Sequence, residues 1–344
     1  MNKLSKFCNE LSNHTHIKPQ IFLSPATGYR ARAEFGFNKN YYTMIEDGQK
    51  IFMDASCIPH VSIQKIMLEL LSKINDSELM YKKLFQVNFR TSGIKILVTL
   101  IYHKSLEDEW IQLARDIQNN FKNISIIGRS KKQKVLIGDE NLTTICSYEN
   151  SSFKILQNDL VFFQPNHYLY SSMISFITKQ LINQKDLLEL YCGCGSFTLP
   201  LASKFKKVFA TENNRHAIRL LKESIKLNCL SNIETARLSD DETSSALANE
   251  RPFRRLKNID MQSYEFSHIL VDPPRAGLSN ETIKLSMQFE NMIYISCNPE
   301  TFLRDIVKLD RKIESIGIFD QFANTKHLEV IALLKLMSIE RVID

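Results

Sequence analysis

The chain has 344 residues, 44 % of them hydrophobic, which is enough for two well-buried cores. No apolar run approaches the roughly 18 residues of a membrane helix, and Met1 to Glu10 lacks a signal-type apolar core, so a soluble cytoplasmic protein is the expectation. The net charge of +6 is uneven: residues 1–150 carry 20 Lys+Arg against 15 Asp+Glu, and residues 151–344 carry 24 against 23, so any field suited to a polyanion lies in the first half.

In the first half the apolar spacing predicts helices over Ser62 to Ile74 and Glu109 to Phe121. The β-branched run Ile94 to Tyr102 and the segment Lys134 to Ile137 read as strands. This order is not a βαβ alternation, so an α+β domain on an antiparallel sheet is expected over residues 1–160. After that the pattern alternates. A helix over Tyr168 to Ile182 precedes a strand at Asp186 to Leu190, a glycine turn, and a helix over Phe197 to Phe205. A strand at Lys207 to Ala210, a helix over His216 to Asn228, and strands at His268 to Val271, Asn291 to Ser296, Ile313 to Phe319 and Val330 to Leu336 complete residues 161–344. Such alternation predicts an α/β, parallel, doubly wound sheet whose ligands bind at the carboxyl ends of the strands.

Three segments fall at those ends. Tyr191-Cys192-Gly193-Cys194-Gly195-Ser196 places two glycines where the backbone can approach a ligand at the start of a helix. The third glycine of a dinucleotide fingerprint is replaced by Thr198, which disfavours NAD, and Glu212 ends the next strand where an acid accepts ribose hydroxyls. An adenosyl ligand is therefore favoured over a purely structural turn. Asp272-Pro273-Pro274-Arg275 is a rigid strand exit holding a carboxylate and a guanidinium, with Arg275 able to stabilise developing negative charge. Cys297, in Ser296-Cys297-Asn298-Pro299, leaves another strand at the same edge, where a thiol lowered in pKa by Arg275 would be a nucleophile rather than a buried hydrophobe. Glu329 and His327 near the last strand are candidate general bases. The seven cysteines are an odd number and include no pair at zinc-ligand spacing, so neither a disulfide framework nor a metal is expected.

These segments resemble the bacterial tRNA (uracil-5-)-methyltransferase family, as do Tyr29-Arg30-Ala31-Arg32-Ala33-Glu34-Phe35, Lys83-Leu84-Phe85-Gln86, Ile127-Gly128-Arg129, Phe163-Gln164-Pro165-Asn166 and the tail at 320–329. The resemblance implies a Rossmann-like class I methyltransferase sheet behind an N-terminal RNA-binding domain. It implies Cys297 as nucleophile, Glu329 as proton acceptor, and S-adenosylmethionine held by Gln164, Tyr191, Ser196, Glu212 and Asp272. The family's loop reads Tyr-Cys-Gly-Asn-Gly-Asn-Phe; here Cys194 and Ser196 replace the asparagines. The implied product is 5-methyluridine in the T-loop of tRNA, with transfer-messenger RNA a further candidate substrate and a monomer as the working form. For RNA contact the expectation falls on Arg30, Arg32, Phe85, Gln86, His103, Arg129 and Lys131, with Lys132, Lys134 and the loop Arg251, Arg254, Arg255, Lys257 as additional phosphate contacts. The same chemistry on ribosomal RNA, cytosine-5 methylation, and a catalytically silent tRNA-binding protein are the alternatives.

Overall fold

A computed structural model describes residues 2–46, 48–323 and 325–337. In chain order the strands are β1 Gln20–Phe22, β2 Arg32–Asn38, β3 Tyr41–Glu46, β4 Gln49–Met53, β5 Leu84–Thr91, β6 Ile96–Tyr102, β7 Ile124–Ser130, β8 Gln133–Ile137, β9 Leu142–Tyr148 and β10 Ser151–Gln157. They continue with β11 Asp186–Leu190, β12 Lys207–Thr211, β13 Ile233–Ala236, β14 Phe266–Val271, β15 Asn291–Ser296, β16 Arg311–Phe319 and β17 Glu329–Leu336.

Strands β4-β3-β2-β5-β6-β7-β8 form one sheet, antiparallel except for the β6–β7 pair. The helix Asp108–Asn120 connects that parallel pair, as a crossover must. Its Trp110, Ala114 and Ile117 join Ile63, Met67 and Leu70 of the helix Val61–Asn75 in one core against Val87, Phe89, Val98, Leu100 and Ile126 of the sheet. Two amphipathic helices thus cover one face, which their 3.6-residue spacing dictates.

The second sheet runs β1-β16-β17-β15-β14-β11-β12-β13. Strands β11 to β15 pair in parallel and every residue of β11 and β15 is buried, as expected of strands covered on both faces. Alternate residues feed two cores. Leu187, Ile293 and Ile331 face the helices His167–Gln180 and Arg215–Leu227, while Leu188, Tyr294 and Val330 face Leu285, Phe302, Ile306 and Leu309. The sheet is mixed rather than wholly parallel, because β17 enters antiparallel between β15 and β16.

The first 160 residues contribute to both sheets. The helix Lys3–Leu11 buries Phe7 and Leu11 in the second core, and β1 pairs with β16. The hairpin β9–β10 packs Phe153, Ile155 and Leu156 on the other face of the second sheet, with the Leu156 amide donating to Ser224 Oγ at 3.0 Å. The two bodies are joined where the Ala31 amide donates to Pro165 O at 2.7 Å and Arg90 donates to Val161 O at 2.6 Å.

Candidate active site

Register brings the functional segments to one edge. Leu190 pairs with both Thr211 and Val271, and Val271 pairs with Tyr294, so Tyr191, Glu212, Asp272 and Cys297 follow the ends of four adjacent parallel strands. The strand order reverses around β11, the switch point where open α/β sheets bind ligands. The antiparallel pairing Ser296↔Val330 then sets the first residue of β17, Glu329, against the exit of β15. A segment distant along the chain thereby delivers a carboxyl group to Cys297.

Helix caps explain why the chain turns there. Asn298 caps the helix Pro299–Leu309 by accepting from the Glu300 amide at 3.2 Å, with proline at the first helical position, so Ser-Cys-Asn-Pro is a strand end joined to a helix start. Asn298 also donates to Arg275 O at 3.2 Å, tying the cysteine loop to the Asp-Pro-Pro-Arg turn. Behind that turn Asp305 is fully buried and accepts from the Leu278 amide at 2.8 Å and the Tyr294 hydroxyl at 2.7 Å.

In the glycine loop, Tyr191, Gly193 and Gly195 all have positive φ, at 59°, 55° and 96°. Among the described residues nothing lies within 4 Å of where a Gly193 Cβ would stand, whereas a Cβ on Gly195 would sit 2.5 Å from Leu221 Cδ1. The first glycine faces open space; the second is packed on the helix Arg215–Leu227. Glu212 accepts from the Gly193 amide at 3.1 Å and the Asn214 amide at 2.7 Å, so one carboxylate fixes the loop and the next helix start. The Tyr191 hydroxyl is committed elsewhere, to Asp240 at 2.7 Å and Thr282 at 3.0 Å. Gln164 is buried and accepts from Gln321 at 3.2 Å. Ser196 is buried with its carbonyl held by the Tyr170 hydroxyl. Cys194, one of the two departures from the family loop, points inward, its thiol 3.4 Å from Phe162 O.

The electrostatics differ from expectation at one point. Burial, then the carboxyl groups of Glu329 and Asp272, push Cys297 up to about 11, and Arg275 offsets only part of this. The thiol is therefore the resting form, contrary to the lowered pKa expected from Arg275 alone. Burial and Asp272 raise Glu329 well above the usual carboxylate range, with Arg275 opposing. Asp272 rises to about 7 through burial and Glu212. Glu189, which pattern reading passed over, is buried in β11 and pushed up to about 8 by burial and by Asp272. One of its oxygens has no hydrogen-bond partner among the described residues. A glutamate inside Leu187-Leu188-Glu189-Leu190 was the signal that could have found it. Acids with raised pKa values crowded in a cleft mark functional sites.

The candidate RNA residues divide. Phe85 is half exposed and its ring lies 4.8 Å from that of His103. Both line a cleft of about 640 Å³ with Lys104, Arg129 and Lys131. Arg129 is paired with Asp159, Arg32 with Glu34, and Gln86 donates to Asn88 at 2.8 Å. Arg30 stands apart, its backbone bridging to Pro59 and Asn166 at the junction of the bodies. Of the further basic residues, Lys134 pairs with Glu140 and Arg255 with Glu242.

A family model described as tRNA (Uracil-5-)-methyltransferase matches residues 1–337. Among similar sequences, a tRNA/tmRNA (uracil-C(5))-methyltransferase of a Nitratiruptor species is 40 % identical over 336 residues, covering 95 % of this chain and 92 % of that one. A protein of the same description from Acinetobacter baumannii (strain AYE) is 39 % identical over 349 residues, covering 97 % and 96 %. Among solved structures, Pyrococcus abyssi tRNA (uracil-54, C5)-methyltransferase in complex with S-adenosyl-L-homocysteine shares the fold, with a TM-score of 0.75 at 23 % identity over 96 % of this chain and 82 % of that one. With a family model that spans both sheets and relatives this similar over more than nine-tenths of their length, the chain belongs to the tRNA (uracil-5-)-methyltransferase family.

Proposed function

We propose that this protein methylates carbon 5 of the T-loop uridine at position 54 of tRNA through a transient bond between Cys297 and carbon 6 of the base. The observation that carries the reading is the meeting of Cys297, Glu329, Asp272 and Arg275 at one sheet edge beside an open glycine loop.

The residues fit S-adenosylmethionine. The open space at Gly193 admits a ligand against the main chain, Glu212 is placed to accept ribose hydroxyls, and the carboxyl group of Asp272 suits a cationic sulfonium. Gln164 and Ser196 are the buried polar residues that complete the set, and Tyr191 supplies main chain and ring, since its hydroxyl is engaged. When bound, the cofactor would supply an electrophilic methyl group, the electron pair of the broken carbon–sulfur bond staying with the neutral thioether that leaves.

Carbon 5 of uracil is too weak a nucleophile to take that methyl unaided. Cys297 loses its proton to solvent and the thiolate adds to carbon 6, so the electrons of the 5,6 double bond move onto the carbonyl at carbon 4. Arg275 is the cation available to that enolate. Carbon 5 accepts the methyl; Glu329 removes the proton of carbon 5; the electron pair re-forms the double bond, and the carbon–sulfur bond breaks to return the thiolate. A carboxylate with a raised pKa is a stronger base, which suits Glu329 to that proton. The base must leave its stack to reach the cleft. Phe85 and His103 offer rings on which loop bases stack, and Arg129, Lys131, Arg30 and Arg32 meet the RNA from the N-terminal body. Transfer-messenger RNA is a second substrate, and the enzyme works as a cytoplasmic monomer.

Unmodified tRNA incubated with labelled S-adenosylmethionine tests this. Wild type should place the label at uridine 54, and Cys297→Ala should lose transfer while still binding tRNA. Label in ribosomal RNA, on cytosine, or elsewhere in tRNA, or normal transfer without the thiol, overturns it.

A further inference from the structure

A groove of about 330 Å³ lies beside the active site. One wall is the helix Lys3–Leu11; the other is the loop after Cys297 together with Arg275 and the segment 326–328. Lys3 acts as a strut across it. Its Nζ pairs with Asp320 at 2.5 Å and donates to Phe322 O at 2.9 Å and His327 O at 3.1 Å, clasping both ends of the loop that leads to Glu329. Three partners saturate that ammonium, so Lys3 has nothing left for a ligand.

The other cations of the groove are not so committed. Lys326 and Arg275 are exposed, and Lys6, two-thirds exposed, is held by nothing closer than a 3.9 Å surface ion pair with Glu10 among the described residues. Glu10 and Glu300 are the acids on the walls. His327 lies on the second wall; burial, then Arg275, Lys326, Lys3 and Arg30, hold its imidazole toward the neutral form. Lys3, Lys6, Arg275 and Lys326 against Glu10 and Glu300 leave the groove, which also holds the loop after Cys297, with an excess of positive charge that suits an anionic chain.

We propose that this groove holds the sugar-phosphate backbone of the substrate RNA next to the target nucleotide, with Lys6 and Lys326 contacting phosphates and Lys3 fixing the groove's shape. The proposal rests on the tRNA reading above. It gives the catalytic body its own phosphate contacts, separate from those on the N-terminal body, so that backbone on both sides of the flipped nucleotide is gripped.

The test is binding of unmodified tRNA to the full-length Lys6→Ala/Lys326→Ala protein over a range of salt. Each lost phosphate contact lowers the slope of log Kd against log salt by about 0.7–0.9, so the double variant should lose about 1.4–1.8. Kd should rise several-fold while kcat at saturating tRNA and S-adenosylmethionine affinity stay at wild-type values, and Lys6→Arg/Lys326→Arg should restore the slope. An unchanged slope and Kd overturns the proposal. Binding is read without methyl transfer, so a wild type with this salt dependence that methylates no uridine would sink the proposed function and leave the groove standing.

Discussion

Replacing Glu329 by Gln should separate the two halves of the reaction. Glutamine matches the size of the buried side chain, so the fold should be kept. The substitution acts on Cys297 and on the substrate in opposite directions. Glu329 is the first cause after burial that raises Cys297 from 9.0 to about 11, so its removal moves the thiol down and leaves addition to carbon 6 unhindered. The carbon 5 proton, however, loses its acceptor. General-base catalysis is worth about 10²–10⁴-fold, or roughly 3–5 kcal/mol of barrier. Turnover should fall by about that factor, and enzyme should accumulate as a methylated protein–RNA conjugate. Denaturing electrophoresis with methyl-labelled cofactor and unmodified tRNA reads this directly: a slow band carrying one methyl per protein, weak or absent for wild type. A variant that turns over within about tenfold of wild type, or a conjugate that never contains methyl, would refute the role given to Glu329.

Two further outcomes follow from burial and backbone shape. Gly195→Ala should lower stability in urea unfolding by about 2–4 kcal/mol, through overpacking on Leu221 added to the cost of a positive φ. Gly193→Ala, with open space around it, should cost only about 1–2 kcal/mol of backbone strain while weakening S-adenosylmethionine; equal losses at the two sites would show the packing reading wrong. Glu189→Gln should flatten the pH dependence of stability. The folded chain holds the Glu189 proton up to about pH 8, whereas the unfolded chain releases it from about 4.5, so the unfolded state binds fewer protons and stability falls as pH rises through this window. The slope for one group is about 1.4 kcal/mol per pH unit at most, and thermal unfolding of both proteins from about pH 5 to 8.5 checks it; parallel curves would refute the assignment.

What was legible in the sequence was whatever short-range pattern determines. The helices Val61–Asn75 and Arg215–Leu227 and the strands that end at the site were visible because one or two faces of each are uniformly apolar, and the site followed from the rule that parallel strands present ligands at their carboxyl ends. The helix expected over 197–205 is instead a short α-turn, Thr198–Leu201, running into a 3-10 turn, Ala202–Lys204. Pro200 was the available warning, since it cannot donate to an interior helical bond.

What stayed hidden was set by contacts between distant segments. Nothing in Gln20–Phe22 says that it pairs with β16, and nothing near Lys3 says that its amine closes a loop more than three hundred residues away. The protonation state of Cys297 was hidden for the same reason. Read along the chain, its expected partner charge is Arg275, directly after a proline turn; read in the fold, β17 inserts antiparallel and brings Glu329, while β14 brings Asp272. Two acids and burial then outweigh one cation. The same insertion that raises the thiol also brings in Glu329, the base of the proposed mechanism. A site built this way holds its cysteine as the unreactive thiol in the free protein. Alkylation of Cys297 in the free enzyme should therefore be slow at neutral pH and rise about tenfold per pH unit toward 11, and a thiol already fully reactive at pH 7 would mean that the carboxyl groups do not govern it.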